Sequence, residues 1–148
     1  EARNLPGRPG PHLRHTIRMT RRTTDHASGA PSPIGPYALA AHTDPGLVFL
    51  SGQTPIDPAT GRLVDGDIAT QTRQVFANLT AVLASAGLSL DDIVKVNVYL
   101  TSMADFADMN EIYRSTFAPP FPARTTVAVH ELPLGAHVEI EAIAVTRP

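Results

Sequence analysis

Val94-Lys95-Val96-Asn97-Val98-Tyr99-Leu100 alternates aliphatic and polar side chains with a period of two. That is the strand period, so Val94, Val96, Val98 and Leu100 are expected on one sheet face and Lys95, Asn97 and Tyr99 on the other. A 3.6-residue repeat would scatter the same aliphatics around a helix axis. On both sides of this segment the period changes. Upstream, Val75, Leu79, Val82, Leu83 and Ala86 recur at helical spacing and Gly87 follows as a stop, which predicts a helix over residues 68–86. Downstream, Ser102-Met103-Ala104-Asp105 resembles a capping box with Asp in the Glu position. Phe106, Met109, Tyr113 and Phe117 then continue at helical steps until Pro119-Pro120 ends the second helix.

Farther out, residues 37–41 and 47–50 are short apolar runs separated by His42-Thr43-Asp44-Pro45-Gly46, the pattern of a hairpin. Pro55, Asp57-Pro58 and Gly61 mark an irregular loop. Residues 124–129 read as a strand, Leu132-Pro133-Leu134-Gly135 as a turn, and residues 137–145 as a last strand. On that strand Val138, Ile140, Ala142 and Ala144 point one way, and Glu139, Glu141, Ile143 and Val145 the other. The order is ββαβαββ, an α+β arrangement with two helices on one face of a mixed sheet. Two helices cannot cover both faces. The second, acidic and aliphatic, is expected to meet another copy of the chain, giving a homo-oligomer.

Residues 1–30 read as a tail and residues 31–148 as one domain. The tail carries Pro6, Pro9, Pro11, a basic stretch and no hydrophobic period, and Met19 opens a plausible start, so residues 1–18 read as an upstream or cloning-derived segment. An organelle-targeting peptide is the rival reading, weakened by three prolines in what would have to be a helix. The formal net charge of −2 is unevenly spread: six of the twelve basic residues lie in the first 22 positions against one acid. The rest of the chain holds six basic and thirteen acidic residues, a balance of −7 that repels a phosphate backbone and disfavours nucleic acid as a partner. With no cysteine there is neither a disulfide framework nor a thiolate nucleophile. No apolar run approaches the roughly 20 residues of a membrane span, and a soluble, cytoplasmic protein with no membrane partner is expected.

Several kinds of chemistry lack their motifs. There is no Gly-rich phosphate loop, Ser51-Gly52 lacks the G-x-S-x-G elbow, and His130 and His137 have no acidic third ligand at a recognised spacing, so neither metal nor cofactor is expected. What remains is Arg124, entering its strand after Phe121-Pro122-Ala123, with Glu139 and Glu141. A planar guanidinium suits bidentate capture of a carboxylate. From spacing alone, a surface arginine paired with a glutamate is the commoner case.

Ser32-Pro33-Ile34-Gly35-Pro36-Tyr37-Ala38, Leu50-Ser51-Gly52-Gln53-Thr54-Pro55, Asn110-Glu111-Ile112-Tyr113, Phe121-Pro122-Ala123-Arg124-Thr125-Thr126-Val127, and Leu132-Pro133 followed by Val138-Glu139-Ile140-Glu141-Ala142 together resemble the Rid (YjgF) family, over residues 31–147. The resemblance implies a chorismate-mutase-like fold, a homotrimer with clefts between neighbouring subunits, and no cofactor. It also implies hydrolysis of reactive 2-imino or enamine acids, such as 2-iminopropanoate and 2-iminobutanoate, to 2-oxo acids and ammonia. The family's carboxylate-binding arginine falls on Arg124 and its water-handling glutamate on Glu139. Tyr37 matches the tyrosine of the loop that closes over the site, Ser51 and Gly52 the strand-end pair beside it, and Asn110 the asparagine of the second helix. Thr126 stands where some relatives carry cysteine. Glu141 is the second acid to consider. The competing expectations are an endoribonuclease that blocks translation, a non-catalytic module for small carboxylates, and a chaperone-like member.

Overall fold

A computed structural model describes residues 22–35, 37–43 and 46–146. The readings made for residues 1–18, Met19, Pro36 and the turn residues Asp44 and Pro45 lie outside them. The elements are β1 (Arg22–Thr24), β2 (Ala40–His42), β3 (Leu47–Gln53), β4 (Ile56–Asp57), β5 (Arg62–Leu63), α1 (Ile68–Ser85), β6 (Ile93–Leu100), α2 (Phe106–Thr116), β7 (Ala123–Ala128) and β8 (Val138–Val145). Six strands form one mixed sheet in the order β1-β2-β3-β8-β6-β7, and β4 and β5 make a separate two-stranded ribbon. The α+β class and two-helix layer are as expected.

The decisive strand, β6, lies between β8, antiparallel, and β7, parallel. Val96, Val98 and Leu100 are wholly buried beneath the helices, as the alternation requires. Val94 is not, and this corrects the expected face assignment. The β6–β8 register shifts between Ile93 and Lys95, so Ile93 takes the buried place and Val94 is exposed. On β8, Val138, Ile140, Ala142 and Ala144 are buried and the alternate residues partly exposed.

α1 starts at Asp67, whose Oδ1 accepts the Thr70 amide at 2.8 Å. It ends where Gly87 (φ +72°) lets its own amide reach the Ala84 carbonyl and the Leu88 amide reach that of Leu83. Val75, Leu79, Val82 and Leu83 are buried against the sheet, each contributing roughly 1.5–3 kcal/mol through lost apolar exposure. At the second helix the expected capping box is replaced. Ser102 Oγ accepts the Ala104 amide at 3.1 Å, capping a 3₁₀ turn (Met103–Asp105) that precedes α2. A serine two residues from its donor fits this tighter turn.

Two further findings concern short elements. Within the stretch read as a tail, β1 pairs with β2, with Arg22 opposite His42 and Thr24 opposite Ala40, and Ala27 and Ala30 are buried. The stretch read as an irregular loop contains the β4–β5 ribbon. Asn78 of α1 anchors that stretch by donating from Nδ2 to the carbonyls of Thr54 (3.2 Å) and Ile56 (2.9 Å).

Candidate functional site

Arg124 follows Ala123 at the start of β7, and its Cα partner in β6 is Val96, a residue of the buried face. Its side chain therefore lies on the helix side of the sheet. There Nη1 donates to Asn110 Oδ1 on α2 at 2.8 Å, and Cζ sits 4.4 Å from the centroid of the Tyr113 ring and 5.6 Å from that of Phe106. No carboxylate among the described residues lies within ion-pair distance of it; the surface pair Arg114–Glu111 is separate. The guanidinium is thus held by a neutral amide and aromatic faces, and its positive charge is uncompensated. A cleft of about 390 Å³ opens beside it, lined by Asn110, Tyr113, Arg114, Phe121, Pro122 and Arg124.

Glu139 stands elsewhere. Its Cα partner in β6 is Tyr99, on the open face of the sheet. The β3–β8 register is interrupted between the Leu50–Ala142 and Gln53–Ile140 pairs, which leaves Ser51 and Gly52 out of the ladder, with Gly52 against the Glu139 side chain. A Cβ at Gly52 would collide with that carboxylate, its carboxyl carbon lying 2.9 Å away. Gly52 leaves this space to the carboxylate, which a larger residue would have to displace. Burial pushes the Glu139 carboxyl above the ordinary glutamate range, and the neighbouring Glu141 charge adds to the shift. Tyr37, Ser51, Gly52 and Glu139 line a depression of about 220 Å³ with Ile34, Thr54, Ile56 and Pro133.

The sequence-selected residues therefore fall into two groups. Arg124 and Asn110 are together; Tyr37, Ser51, Gly52 and Glu139 are together; the groups do not meet within one chain. Arg124 and Glu139 lie two strands apart and three register positions out of step, a Cα separation of roughly 14 Å, and they project from opposite faces. No small molecule bridges a packed sheet.

Individual roles also sharpen. Ser51 donates its hydroxyl to the Ala38 carbonyl at 2.6 Å and its amide to Leu39 at 3.0 Å, so it ties the Tyr37 loop to β3. Its hydroxyl can still accept a bond. Tyr37 is half-exposed above its depression. Thr126 shares Arg124's face of β7, and its buried Oγ1 has no hydrogen-bond partner. Glu141 faces the same way as Glu139 but accepts from Asn97 Nδ2 (2.9 Å) and Tyr99 Oη (2.7 Å), which occupies it in a network of the open face. That carboxylate bond, with burial, holds the Tyr99 phenol above its usual range. No group of three or more metal-ligating side chains occurs among the described residues, and no helix among them is long and apolar enough to cross a membrane. Sequence reasoning passed over Phe106 and Tyr113 as ordinary core positions. The signal was their spacing with Asn110, since residues 106, 110 and 113 fall on one helix face.

Residues 27–146 match the sequence model described as Endoribonuclease L-PSP. A RutC family protein of Pyrococcus horikoshii is 53% identical over 115 residues, covering 78% of this chain and 90% of that protein. The 2-iminobutanoate/2-iminopropanoate deaminase of Mus musculus is 43% identical over 119 residues, 80% of this chain and 87% of that protein. Among solved structures, RidA from an Antarctic Psychrobacter superposes with a TM-score of 0.80 at 42% identity, over 84% of this chain and all of that one. Motifs, sheet order and these likenesses agree: the chain belongs to the Rid (YjgF) family.

Proposed function

We propose that this protein hydrolyses reactive 2-imino acids to 2-oxo acids and ammonia, at a site completed by a second copy of the chain in a homotrimer. The observation that carries this reading is the partition of the site into two incomplete halves on opposite sheet faces, a carboxylate-ready cation in one and a partly buried carboxyl group in the other. In the assembly Arg124 and Asn110 of one subunit face Tyr37, Ser51, Gly52 and Glu139 of its neighbour. Relatives named as deaminases at 42–43% identity support the same chemistry.

The guanidinium binds the substrate carboxylate through two parallel N–H bonds and so places C2 before the acid. Glu139 takes a proton from water as its oxygen adds to C2. That proton passes to the imine nitrogen to give the carbinolamine; Glu139 then takes the hydroxyl proton and hands it to nitrogen as C2=O forms and the C2–N bond breaks, so both protons of the water leave on ammonia. Water is the only co-reactant that this balance requires. Tyr37 closes the entrance, and most of the acceleration comes from placing water, acid and imine together.

The test couples an amino-acid oxidase to the purified protein and follows imine disappearance. Arg124→Ala is expected to lower kcat/KM by about 10²-fold or more, and Arg124→Lys to remain severely impaired because an ammonium cannot reproduce the two-pronged contact. Wild-type rates in the Arg124→Ala protein would remove the arginine from the reaction. Bound 2-oxobutanoate without any acceleration of imine loss would identify a carboxylate-binding module instead.

A further inference from the structure

We propose that Tyr113 is a positioning residue for Arg124: its ring is the platform that sets the plane of the guanidinium and leaves the donor edge not used by Asn110 turned toward the incoming carboxylate. The inference rests on the reading of Arg124 given above and assigns a role to a residue for which the resemblance implies none.

An arginine can be held in place by an acid or by an aromatic face, with opposite consequences. A carboxylate would neutralise the charge and occupy the N–H edge that the substrate needs. A ring face attracts the cation through its quadrupole and touches only the flat side of the group, so the five N–H donors at the edge stay available. At Arg124 the second solution is used. Cζ lies 4.4 Å over Tyr113 and 5.6 Å from Phe106, while a single amide oxygen, that of Asn110, takes one N–H.

The platform itself is fixed from behind. Tyr113 packs against Phe117 with centroids 4.7 Å apart and against Phe76 of α1 edge-on at 5.9 Å, and Phe76 meets Phe117 edge-on at 5.5 Å. All three rings are buried. The Tyr113 hydroxyl has no hydrogen-bond partner, so the ring and not the phenol makes the contacts that hold this position. Burial also drives the phenol toward its neutral form, leaving the face uncharged.

The experiment measures kcat and KM for the oxidase-generated imine, together with calorimetric binding of 2-oxobutanoate, in Tyr113→Leu and Tyr113→Phe. Loss of the face is expected to raise KM and the 2-oxobutanoate Kd about tenfold in Tyr113→Leu while kcat changes less than about threefold; Tyr113→Phe recovers both values to within about twofold of wild type. A folded Tyr113→Leu protein with unchanged Kd, or a Phe variant as impaired as the Leu variant, would overturn the proposal. If Tyr113→Leu does not fold, the NMR signal of the Arg124 Nε proton decides. Stacking predicts a ring-current shift upfield in both wild type and Tyr113→Phe, and a resonance at the position of exposed arginines would overturn it. If the wild type does not accelerate imine loss, the proposed activity fails, while the 2-oxobutanoate measurement still decides the role of Tyr113.

Discussion

Burial and the Glu141 charge hold the Glu139 carboxyl above its ordinary range, so it keeps its proton to higher pH than a free glutamate. Its water-activating form is the ionised one. The acid limb of the kcat/KM profile is therefore expected above the usual carboxyl value of 4.5, with activity rising as pH increases through the shifted pKa. Glu139→Gln has no proton to lose. It is expected to lower the rate about 10²- to 10⁴-fold and to flatten that limb, with 2-oxobutanoate binding retained. A limb that persists unchanged in the variant would assign the titration to another group. At this scale residue type alone offered Arg124 as a fork suited to a carboxylate, while the roles proposed for it and for Glu139 came from the family resemblance. The sequence was silent on Tyr113 because helical spacing marks a residue as buried without saying what its ring supports.

Elements carry these residues to their places, and the α1 anchor on the β4–β5 stretch is the most exposed to disruption. Asn78 is wholly buried, donates to the carbonyls of Thr54 and Ile56, and accepts from Gln74 at 2.9 Å. Thr54 and Ile56 also line the Glu139 depression. Asn78→Ala removes both donations, leaving the Thr54 carbonyl only the Ile56 amide, and opens a void; it is expected to cost about 2–4 kcal/mol, read as a lower urea midpoint with little change in slope. A midpoint within error of wild type would show that the anchor is dispensable. The long elements were legible from their periods: β6, β8 and both helices bury the faces their spacing requires. The short ones were not. Arg22-Thr23-Thr24 has no apolar alternation and is a strand only because β2 offers its edge, and two-residue strands such as Ile56–Asp57 cannot display a period at all. Val94 shows the complementary failure, since one register shift reverses a face that alternation alone predicts.

Across the whole molecule, the helices cover one sheet face and leave Leu47, Phe49 and Val127 exposed on the other, beside Lys95 bonded to Thr125 and the Glu141 network. Exposed apolar side chains on β3 and β7 thus flank a hydrogen-bonded polar patch on β8 and β6, a mixed face that no helix of this chain covers. Self-association through this face is the proposed means of bringing one chain's Arg124 opposite another's Glu139. The separation of those two residues onto opposite faces was beyond sequence reading, because it depends on the register of β7 and β8 against β6 and not on either strand alone. The direct test is complementation. Arg124→Ala and Glu139→Gln proteins, each inactive by itself, are unfolded together, refolded as a mixture and assayed for imine hydrolysis, with mixed oligomers verified by mass. A site shared between subunits predicts recovery to about a quarter of wild-type activity, because random pairing joins an intact arginine to an intact glutamate at one site in four. Mixed oligomers that form and remain inactive would contradict the account.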